Sequence, residues 1–464
     1  MDAAPASAVQ QTAPPLNPLT RKLLEAAIVP LILRLSWPNM LIMLVQAATA
    51  LIDTWWLAKL GSDALGGMAL VFPFVMLVGT ISGGSIGAGI SASVARALGA
   101  RRPDEASALL LHGIVINVAF GAILTLVMLL FGRAIFVTTG GQGAALEAAL
   151  TYARILFAGN TLLWLMNGFA SVIRGTGNMF VPAAITCGGV LIMIPLSPCL
   201  IFGWGPFPEL GIAGSAVSLL TYYFVGAAIL CWYIASGRCI VKFSWSRLRG
   251  PFFSSILSVG VLGAVISLQI NLTAAISNAL VAHVAGANAV AGFGTAARLE
   301  FLMIPIGFGL GGPLVALVGT SIGAGDNRRA LRIVLLGSAI AFAVTESIGL
   351  AAAIFPEGWL NLFTHEPAAV AVGSAYLRQV GPTFGFFGLG IGMYFALLGA
   401  GKLLWPVIAG FTRTLVAIAG SACAVWLYGS LNGMLIALAV GLVLFGAIPF
   451  VAVVGRNWTA DVPS

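Results

Sequence analysis

The sequence predicts an all-α integral membrane protein with twelve transmembrane helices in two six-helix lobes, related by a pseudo-two-fold axis along the membrane normal. Three observations carry this prediction: the composition, the long apolar runs and an internal repeat. Of the 464 residues, 60% are hydrophobic and 8% are charged, and the mean hydropathy is +1.05. Soluble domains carry about a quarter charged residues. The runs are continuous rather than short and alternating, which favours helices over outer-membrane strands.

Apolar runs separated by charged or turn residues place twelve candidate spans along the chain. A run of about 20 apolar residues crosses the hydrocarbon layer as one helix. The spans are expected at residues 31–58, 64–92, 107–131, 150–173, 179–203, 211–235, 254–282, 288–319, 332–355, 372–398, 404–427 and 431–454.

Basic residues are distributed unequally between the two sides of the predicted bundle. With the N-terminus inside, the inner segments hold sixteen of the 22 lysines and arginines, while the outer loops hold only Lys59 and Arg133. Because cytoplasmic loops are enriched in Lys and Arg, both termini are expected in the cytoplasm. The expected units are an N-terminal tail (1–30), a first lobe (31–235), a cytoplasmic linker (236–253), a second lobe (254–455) and a C-terminal tail (456–464).

The two halves of the chain repeat each other at a constant offset of 224 residues. The offset relates Tyr152 to Tyr376 and Arg154 to Arg378, and it is kept over more than eighty residues. Such a repeat indicates duplicated structural units. Since each half has six spans, an even number, the halves share one orientation and are related by an axis along the membrane normal.

From Leu35 to Ala58 the first span carries a single charged residue, the acid Asp53. Asn39, Gln46 and Asp53 recur every seven residues, which puts them on one face of a helix. Thr49 lies one turn before Asp53. A carboxylate within the membrane is costly unless it faces protein or water, so it indicates function. The stripe predicts the wall of a water-filled cavity; the alternative is an acid hydrogen-bonded to a neighbouring helix.

Polar residues in other spans suggest further candidates. On span four, Trp164 and Asn167 share a face and could stack a cationic or aromatic molecule, although such a face more often packs against a neighbouring helix. In the second half, Glu300 and Glu346 are acids within spans eight and nine. With Arg298 and Arg413 they could form buried pairs that hold helices in register, or a second ion or substrate site.

Several function classes are disfavoured by what the sequence lacks. The net charge of +8 comes with no basic motif interleaved with aromatic residues, so no nucleic-acid partner is expected. The five cysteines are scattered and the three histidines isolated, so we expect neither a metal nor a cofactor. An intramembrane enzyme would need converging acids, histidines or nucleophile–base pairs. A channel would need repeated selectivity rings.

Several motifs together resemble the multidrug and toxic compound extrusion (MATE) transporters, over essentially residues 30 to 455. The motifs are K-L-G-S-D-A-L at 59–65, A-R-A-L-G-A at 95–100, R-G-T-G-N at 174–178 and V-G-T-S-I-G-A-G-D-N-R-R-A at 318–330. The resemblance implies two six-helix lobes around a central cleft, and export of organic cations against an inward flow of protons or sodium. It also implies that Asp53 is the ion-coupling acid of the first lobe.

The fifth span departs from the family pattern. Similar members carry N-x-x-x-D-P there, whereas this chain has Met193 and Ser197 at the Asn and Asp positions. In another branch the acids lie in spans seven and ten, where this chain offers neutral residues such as Asn278. Sodium prefers several oxygen ligands, whereas a proton needs one titratable group, so the departure favours proton coupling.

The sequence therefore predicts a secondary antiporter, not an enzyme, that exports amphipathic cationic small molecules such as drugs and toxins. The coupling group would be Asp53, and Gln46, Thr49, Trp164, Asn167 and Ser197 would line the cavity. Asn278, Glu300 and Glu346 are the second-lobe candidates. Sodium-coupled export and a lipid-linked precursor flippase are the alternatives. The expected partners are the small-molecule substrate, protons or sodium and the lipid bilayer. The expected form is a monomer in a bacterial inner membrane.

Overall fold

The computed structural model describes residues 16–455, apart from some side chains between residues 267 and 301 and that of residue 428. The predicted C-terminal tail and the first fifteen residues lie outside this range. The described helices are α1 (Pro18–Glu25), α2 (Ile28–Ala58), α3 (Ser62–Gly79), α4 (Gly87–Gly99), α5 (Pro103–Thr138), α6 (Gly143–Ala158), α7 (Asn160–Gly175), α8 (Phe180–Phe202), α9 (Ile212–Ala235), α10 (Gly250–Gly323), α11 (Asn327–Ile354), α12 (Pro356–Leu360), α13 (Pro367–Val380), α14 (Phe384–Ala400), α15 (Leu404–Leu415), α16 (Ser421–Tyr428) and α17 (Leu431–Gly455).

These helices give the predicted set of membrane crossings. Within the described residues, ten helices or continuous helix pairs are long and apolar enough to span a bilayer. Helices α6 and α7, bent by 48° at Gly159, form an eleventh span, and the shorter apolar segment 250–266 forms a twelfth. Two π-helical segments, Thr80–Ile86 and Val416–Gly420, interrupt the spans α3–α4 and α15–α16.

Helix α10 differs from the sequence expectation, which placed a break at residues 283–287. It is assigned as one helix of 74 residues, since no proline or charged residue occurs between Leu262 and Arg298 to interrupt it. A straight helix of this length would measure about 110 Å. Both of its ends nevertheless contact α4, Ile256 against Gly89 and Gly319 against Ala95. The chain therefore reverses direction within α10, which accounts for two crossings.

Matching contacts occur in the two halves at the offset of 224 residues. Gly175 packs against the Ser91 carbonyl, and Gly399 packs against the Val315 carbonyl. Across the centre, Gly99 packs against Thr320, and Gly323 against Arg96. Gly323 is the repeat counterpart of Gly99, and Arg96 is the counterpart of Thr320, so the two contacts are equivalent with the halves exchanged. Such reciprocity is expected at a two-fold axis, and it places this axis between α4 and the end of α10.

The buried side chains form two large cores. One is built from α3 to α9 around Trp164 and Phe157, and the other from α10 to α17 around Phe384 and Phe387. Helix α2 contributes to both, because its start (Leu31 and Ile32) belongs to the second core and its later part packs on α8. The helix that carries Asp53 therefore contacts both halves of the protein.

Part of the predicted N-terminal tail is structured. Residues 18–25 form α1, which Asn17 caps by accepting a hydrogen bond from the Leu19 N–H at 3.0 Å. The Arg329 guanidinium donates to the carbonyls of Leu23 (2.9 Å) and Ala26 (2.6 Å). These carbonyls lie at the end of α1, where helices leave carbonyl groups without intrahelical partners. The contact fixes α1 on α11.

Candidate functional site

Asp53 lies buried between α2, α8 and α9, with 6% of its surface exposed. The Ser197 hydroxyl donates to Oδ1 at 2.8 Å, and the Ser215 hydroxyl donates to Oδ2 at 2.6 Å. Among the described residues no lysine, arginine or histidine forms an ion pair with it. Each carboxylate oxygen therefore has one neutral hydroxyl donor, and within the described part of the chain no ion pair balances the ionised form.

The hydroxyl shell suits a carboxylate that gains and loses a proton. A serine hydroxyl is both a donor and an acceptor, and its hydrogen can rotate. When Asp53 is ionised both serines donate to it. When it is protonated, one serine can turn and accept its O–H. Backbone N–H groups or arginines could not make that change, because they only donate.

Close helix packing brings Ser215 to this carboxylate. Gly214 lies directly against the backbone of Leu200 and Ile201 on α8, and a Cβ at this position would overlap the Leu200 carbonyl. The absent side chain lets the start of α9 approach α8, so that the next residue, Ser215, reaches Asp53. On α8, Ser197 lies between Pro195 and Pro198, which remove two backbone donors from that part of the helix.

Two residues of this site were missed from the sequence. Ser215 had no distinguishing pattern around it. Tyr152, fully packed on α6, lies close enough to interact electrostatically with Asp53 and with the Ser215 hydroxyl. Tyr152 did carry an indication, because it matches Tyr376 in the internal repeat, and Tyr376 also contacts a carboxylate.

The remaining first-lobe candidates lie at three different places. Gln46 is exposed on the face of α2 next to Asp53, whereas the Thr49 hydroxyl donates to the Val45 carbonyl of its own helix at 2.7 Å. Asn167 donates to Ser82 in the first π-helical segment at 2.7 Å. The expectation for Trp164 is not met: it is fully buried and stacks on Phe120, with ring centroids 5.4 Å apart. It belongs to the lobe interior because both rings fill the space between α5 and α7.

In the second half, a buried ion pair joins α15 to α10. The Arg413 guanidinium donates to Glu300 at 2.6 Å, and the Tyr376 hydroxyl donates to the other carboxylate oxygen at 3.0 Å. Arg413 also lies over the rings of Phe387 and Phe445, at 5.1 and 5.4 Å from the centroids. This carboxylate is neutralised by the protein, in contrast to Asp53.

The other second-lobe candidates are dispersed. Glu346 accepts a hydrogen bond from the Gly385 N–H at 2.6 Å. Arg298 is exposed, with its guanidinium 5.8 Å from the Phe363 ring centroid. The side chain of Asn278 lies outside the described residues. Of the four charged candidates, Glu300 and Arg413 form an ion pair. Arg298 and Glu346 lie apart from that pair and from each other.

Removing one partner from the Glu300–Arg413 pair will destabilise the protein. We expect Arg413→Met to lower the free energy of unfolding by about 3 kcal/mol, because it leaves the Glu300 carboxylate, only 20% exposed, without a cationic partner. The exposed pair Arg378–Glu357, 3.2 Å apart, is the matched control, since Arg378→Met should cost less than about 1 kcal/mol. Thermal unfolding of the two purified variants measures the difference. Equal losses would contradict a neutralising role for Arg413.

The two halves also meet through one arginine near the end of α4. Arg96 donates to the Gly399 carbonyl of α14 at 3.0 Å and to the Ser255 hydroxyl of α10 at 3.2 Å. It donates to Ser93 on its own helix at 3.2 Å. We call the side of the bundle where α4 ends and residues 236–249 lie the linker side. On this side the halves are joined by hydrogen bonds and by the close packing of Gly99 and Gly323.

Helix α2 is joined to α10 through Asn39. Asn39 donates to the carbonyls of Phe308 (2.9 Å) and Gly309 (3.3 Å) on α10. Pro313 has no N–H to donate to the Gly309 carbonyl, so Asn39 replaces the missing helix donor. Beyond Asn39, eight of the nineteen remaining positions of α2 are exposed, and all but Gln46 lie within a sector of about 120°. Gln46 therefore lies on the Asp53 face of α2, apart from this exposed apolar sector.

Comparison with known proteins identifies the family. The MatE family model matches residues 38–199 and 263–422, more than half of the chain and once in each half. The chain belongs to the MATE family. It is thus a multi-pass membrane protein of a transporter family, and the resemblance noted in its motifs is confirmed.

Two relatives of similar length carry different functional names. A Shewanella oneidensis protein named FAD transporter is 26% identical over 427 residues, covering 91% of this chain and 94% of that protein. A Thermotoga maritima protein named probable multidrug resistance protein NorM is 26% identical over 389 residues, 82% of each chain.

Solved MATE structures share the fold. An outward-facing multidrug resistance MATE transporter superimposes with a TM-score of 0.85 at 24% identity, covering 96% of this chain and 98% of the other. A MATE transporter in the bent conformation gives a TM-score of 0.87 at 24% identity, covering 95% and 98%. These matches confirm the predicted all-helical, two-lobe fold class.

Proposed function

We propose that this MATE protein is an antiporter that exports amphipathic, cationic small molecules in exchange for protons. The observation that carries the proposal is the buried Asp53 carboxylate, which has two hydroxyl donors and, among the described residues, no cationic partner. When ionised, it would attract a cation into the cleft. When protonated, it would release that cation. Relatives named as multidrug resistance proteins support the substrate class.

Proton coupling is favoured over sodium coupling by the ligands around Asp53. Sodium needs several oxygen ligands, and the family position that could supply a second carboxylate here holds Ser197. Met193, the other departure from the family pattern, is buried and brings no oxygen. A single carboxylate with two rotatable hydroxyl partners is sufficient to bind and release a proton. It offers too few oxygen ligands to bind sodium well.

An anionic substrate is the second candidate, and a specific observation favours it. Arg174 is half-buried near the end of α7 and donates to the Ser171 hydroxyl at 3.0 Å. Like Arg96, it has only neutral partners among the described residues. The relative named as an FAD transporter makes a flavin dinucleotide a suitable probe. A lipid-linked precursor flippase is less well supported, because Arg413 is already paired with Glu300.

We also propose the orientation and the assembly. The protein would lie in a bacterial inner membrane. Both termini and the linker would be on its cytoplasmic side, because the basic residues concentrate there. The lobes are taken as residues 31–235 and 254–455, and the protein is taken to work as a monomer. The cleft would then face outward in the described conformation, with the linker side closed.

Transport by the purified protein in vesicles tests the function. With ethidium as the probe, we expect an imposed proton gradient to drive accumulation and a sodium gradient alone to leave it at the level of protein-free vesicles. Accumulation driven by sodium without a proton gradient would reject proton coupling. Transport of FAD but not of ethidium would favour the second candidate.

A further inference from the structure

Residues 242–249 of the linker present basic and apolar side chains outward. Trp245 is 97% exposed, and Leu248 is 54% exposed. Lys242, Arg247 and Arg249 are exposed beside them. Residues 236–252 contain four basic residues and no acid. In the part of the chain that the structure describes, none of these basic side chains forms an ion pair.

The linker is nevertheless held firmly at both ends of this surface. The Lys242 N–H donates to the Ser107 hydroxyl at 3.2 Å, and the Arg249 N–H donates to His112 Nε2 at 2.8 Å. Val241 is fully buried just before the first anchor. Residues 242–249 are therefore a fixed loop on α5, and their outward side chains are positioned before any partner binds.

The two anchors set the depth of this loop in the membrane. Helix α5 has 36 residues, about 54 Å, whereas the hydrocarbon layer is about 30 Å thick. If α5 is centred, about eight residues at each end lie outside the hydrocarbon. Ser107, the fifth residue of α5, then lies at the headgroup level. His112, the tenth, lies near the hydrocarbon boundary, so the loop runs along the membrane interface.

We propose that residues 242–249 form a binding surface for anionic phospholipids of the adjacent leaflet. Trp245 and Leu248 would enter the interface, where tryptophan is favoured, and Lys242, Arg247 and Arg249 would contact the negative headgroups. Charge complementarity supports this occupant, because a cluster of basic residues with no acid is attracted to anionic lipid. Arg238, which lies 5.0 Å from the Trp232 ring centroid, extends the same surface to α9.

Lipid bound to this surface would restrain α10, because of where the loop lies in the chain. The loop connects α9 to α10, the last helix before and the first helix after the junction of the two repeats. Lipid bound there would hold α10 at a fixed depth beside α5. The binding itself depends neither on the transported substrate nor on the coupling ion, so it can be tested without a transport assay.

Lipid selectivity of matched variants tests the proposal. The protein is reconstituted in bilayer discs of phosphatidylcholine, alone or mixed with phosphatidylglycerol, and the lipids retained after extraction are counted. We expect Arg247→Gln with Arg249→Gln to lower the retained phosphatidylglycerol preference by an order of magnitude or more, since each basic residue contributes about fivefold. Arg328→Gln with Arg332→Gln removes two exposed charges at the start of α11 and should have a much smaller effect.

Quenching by brominated phosphatidylglycerol supplies a second, independent measurement. The protein has 11 tryptophans, so Trp245 is observed as the difference between the parent and Trp245→Phe. We expect less quenching in the variant. Equal losses of lipid preference in the two arginine pairs, or the same quenching with and without Trp245, would overturn the proposal. Retention of the preference in the linker variant would do so as well.

Discussion

Asp53→Asn will reduce proton-driven export to the rate of protein-free vesicles while leaving the fold intact. Asparagine has the shape of the protonated acid, and Ser197 and Ser215 can each donate to its oxygen or accept from its amide after rotation. The substitution therefore keeps the hydrogen bonds and removes only the exchangeable proton. Export of the probe under an imposed proton gradient, together with the thermal stability of the purified variant, measures both parts of the prediction.

A neighbouring acid provides the control. Asp63 is exposed at the start of α3, ten residues beyond Asp53 on the same side of the bundle. Asp63→Asn removes the same charge without touching the buried site and should retain parental export. If Asp53→Asn also exports at the parental rate, Asp53 is not the coupling group. Glu346 then becomes the next candidate, since Glu300 is neutralised by Arg413.

Much of the fold follows from the sequence because the membrane leaves few options. Each long apolar run must be a helix, since no water is available to satisfy its backbone groups. The repeat of Tyr152 by Tyr376 then indicates duplicated halves. The two crossings expected between residues 254 and 319 are present, because the chain reverses within α10. The expected interruption of the helix is absent, because residues 263–297 contain no proline or charged residue that would end it.

The site itself was only partly predictable. Asp53 could be chosen because an acid is rare in a span, and Ser197 because it occupies a family position. Ser215 lies 162 residues from Asp53 along the chain, and a serine in an apolar helix has no feature that sets it apart. Trp164 shows the converse problem. Helical spacing groups Trp164 with Asn167. Spacing alone cannot show that Asn167 contacts Ser82, whereas Trp164 stacks on Phe120 in the interior of the lobe.

Arg96→Ala will shift the protein toward a state that is open on the linker side. The substitution removes hydrogen bonds from a charged donor to Gly399 and Ser255, both on the opposite half. Such bonds contribute about 1.5–3 kcal/mol each. The loss of about 3 kcal/mol from the closed state corresponds to a shift of about 100-fold in the ratio of the two states. Among the described residues no acid pairs with Arg96, so the substitution leaves no carboxylate without its partner.

Distances between spin labels measure this shift. In a variant without the five native cysteines, labels at Asp104→Cys and Arg328→Cys report across the linker side, where both residues are exposed. We expect a longer distance to become the main population in Arg96→Ala. Arg174→Ala is the matched control, because the described contact of Arg174 with Ser171 stays within one half. An unchanged distance distribution in Arg96→Ala would show that helix packing around Gly99 and Gly323 closes this side without the arginine. A shift in both variants would point to a general effect of removing an arginine, because Arg96 bridges the two halves and the described contact of Arg174 does not.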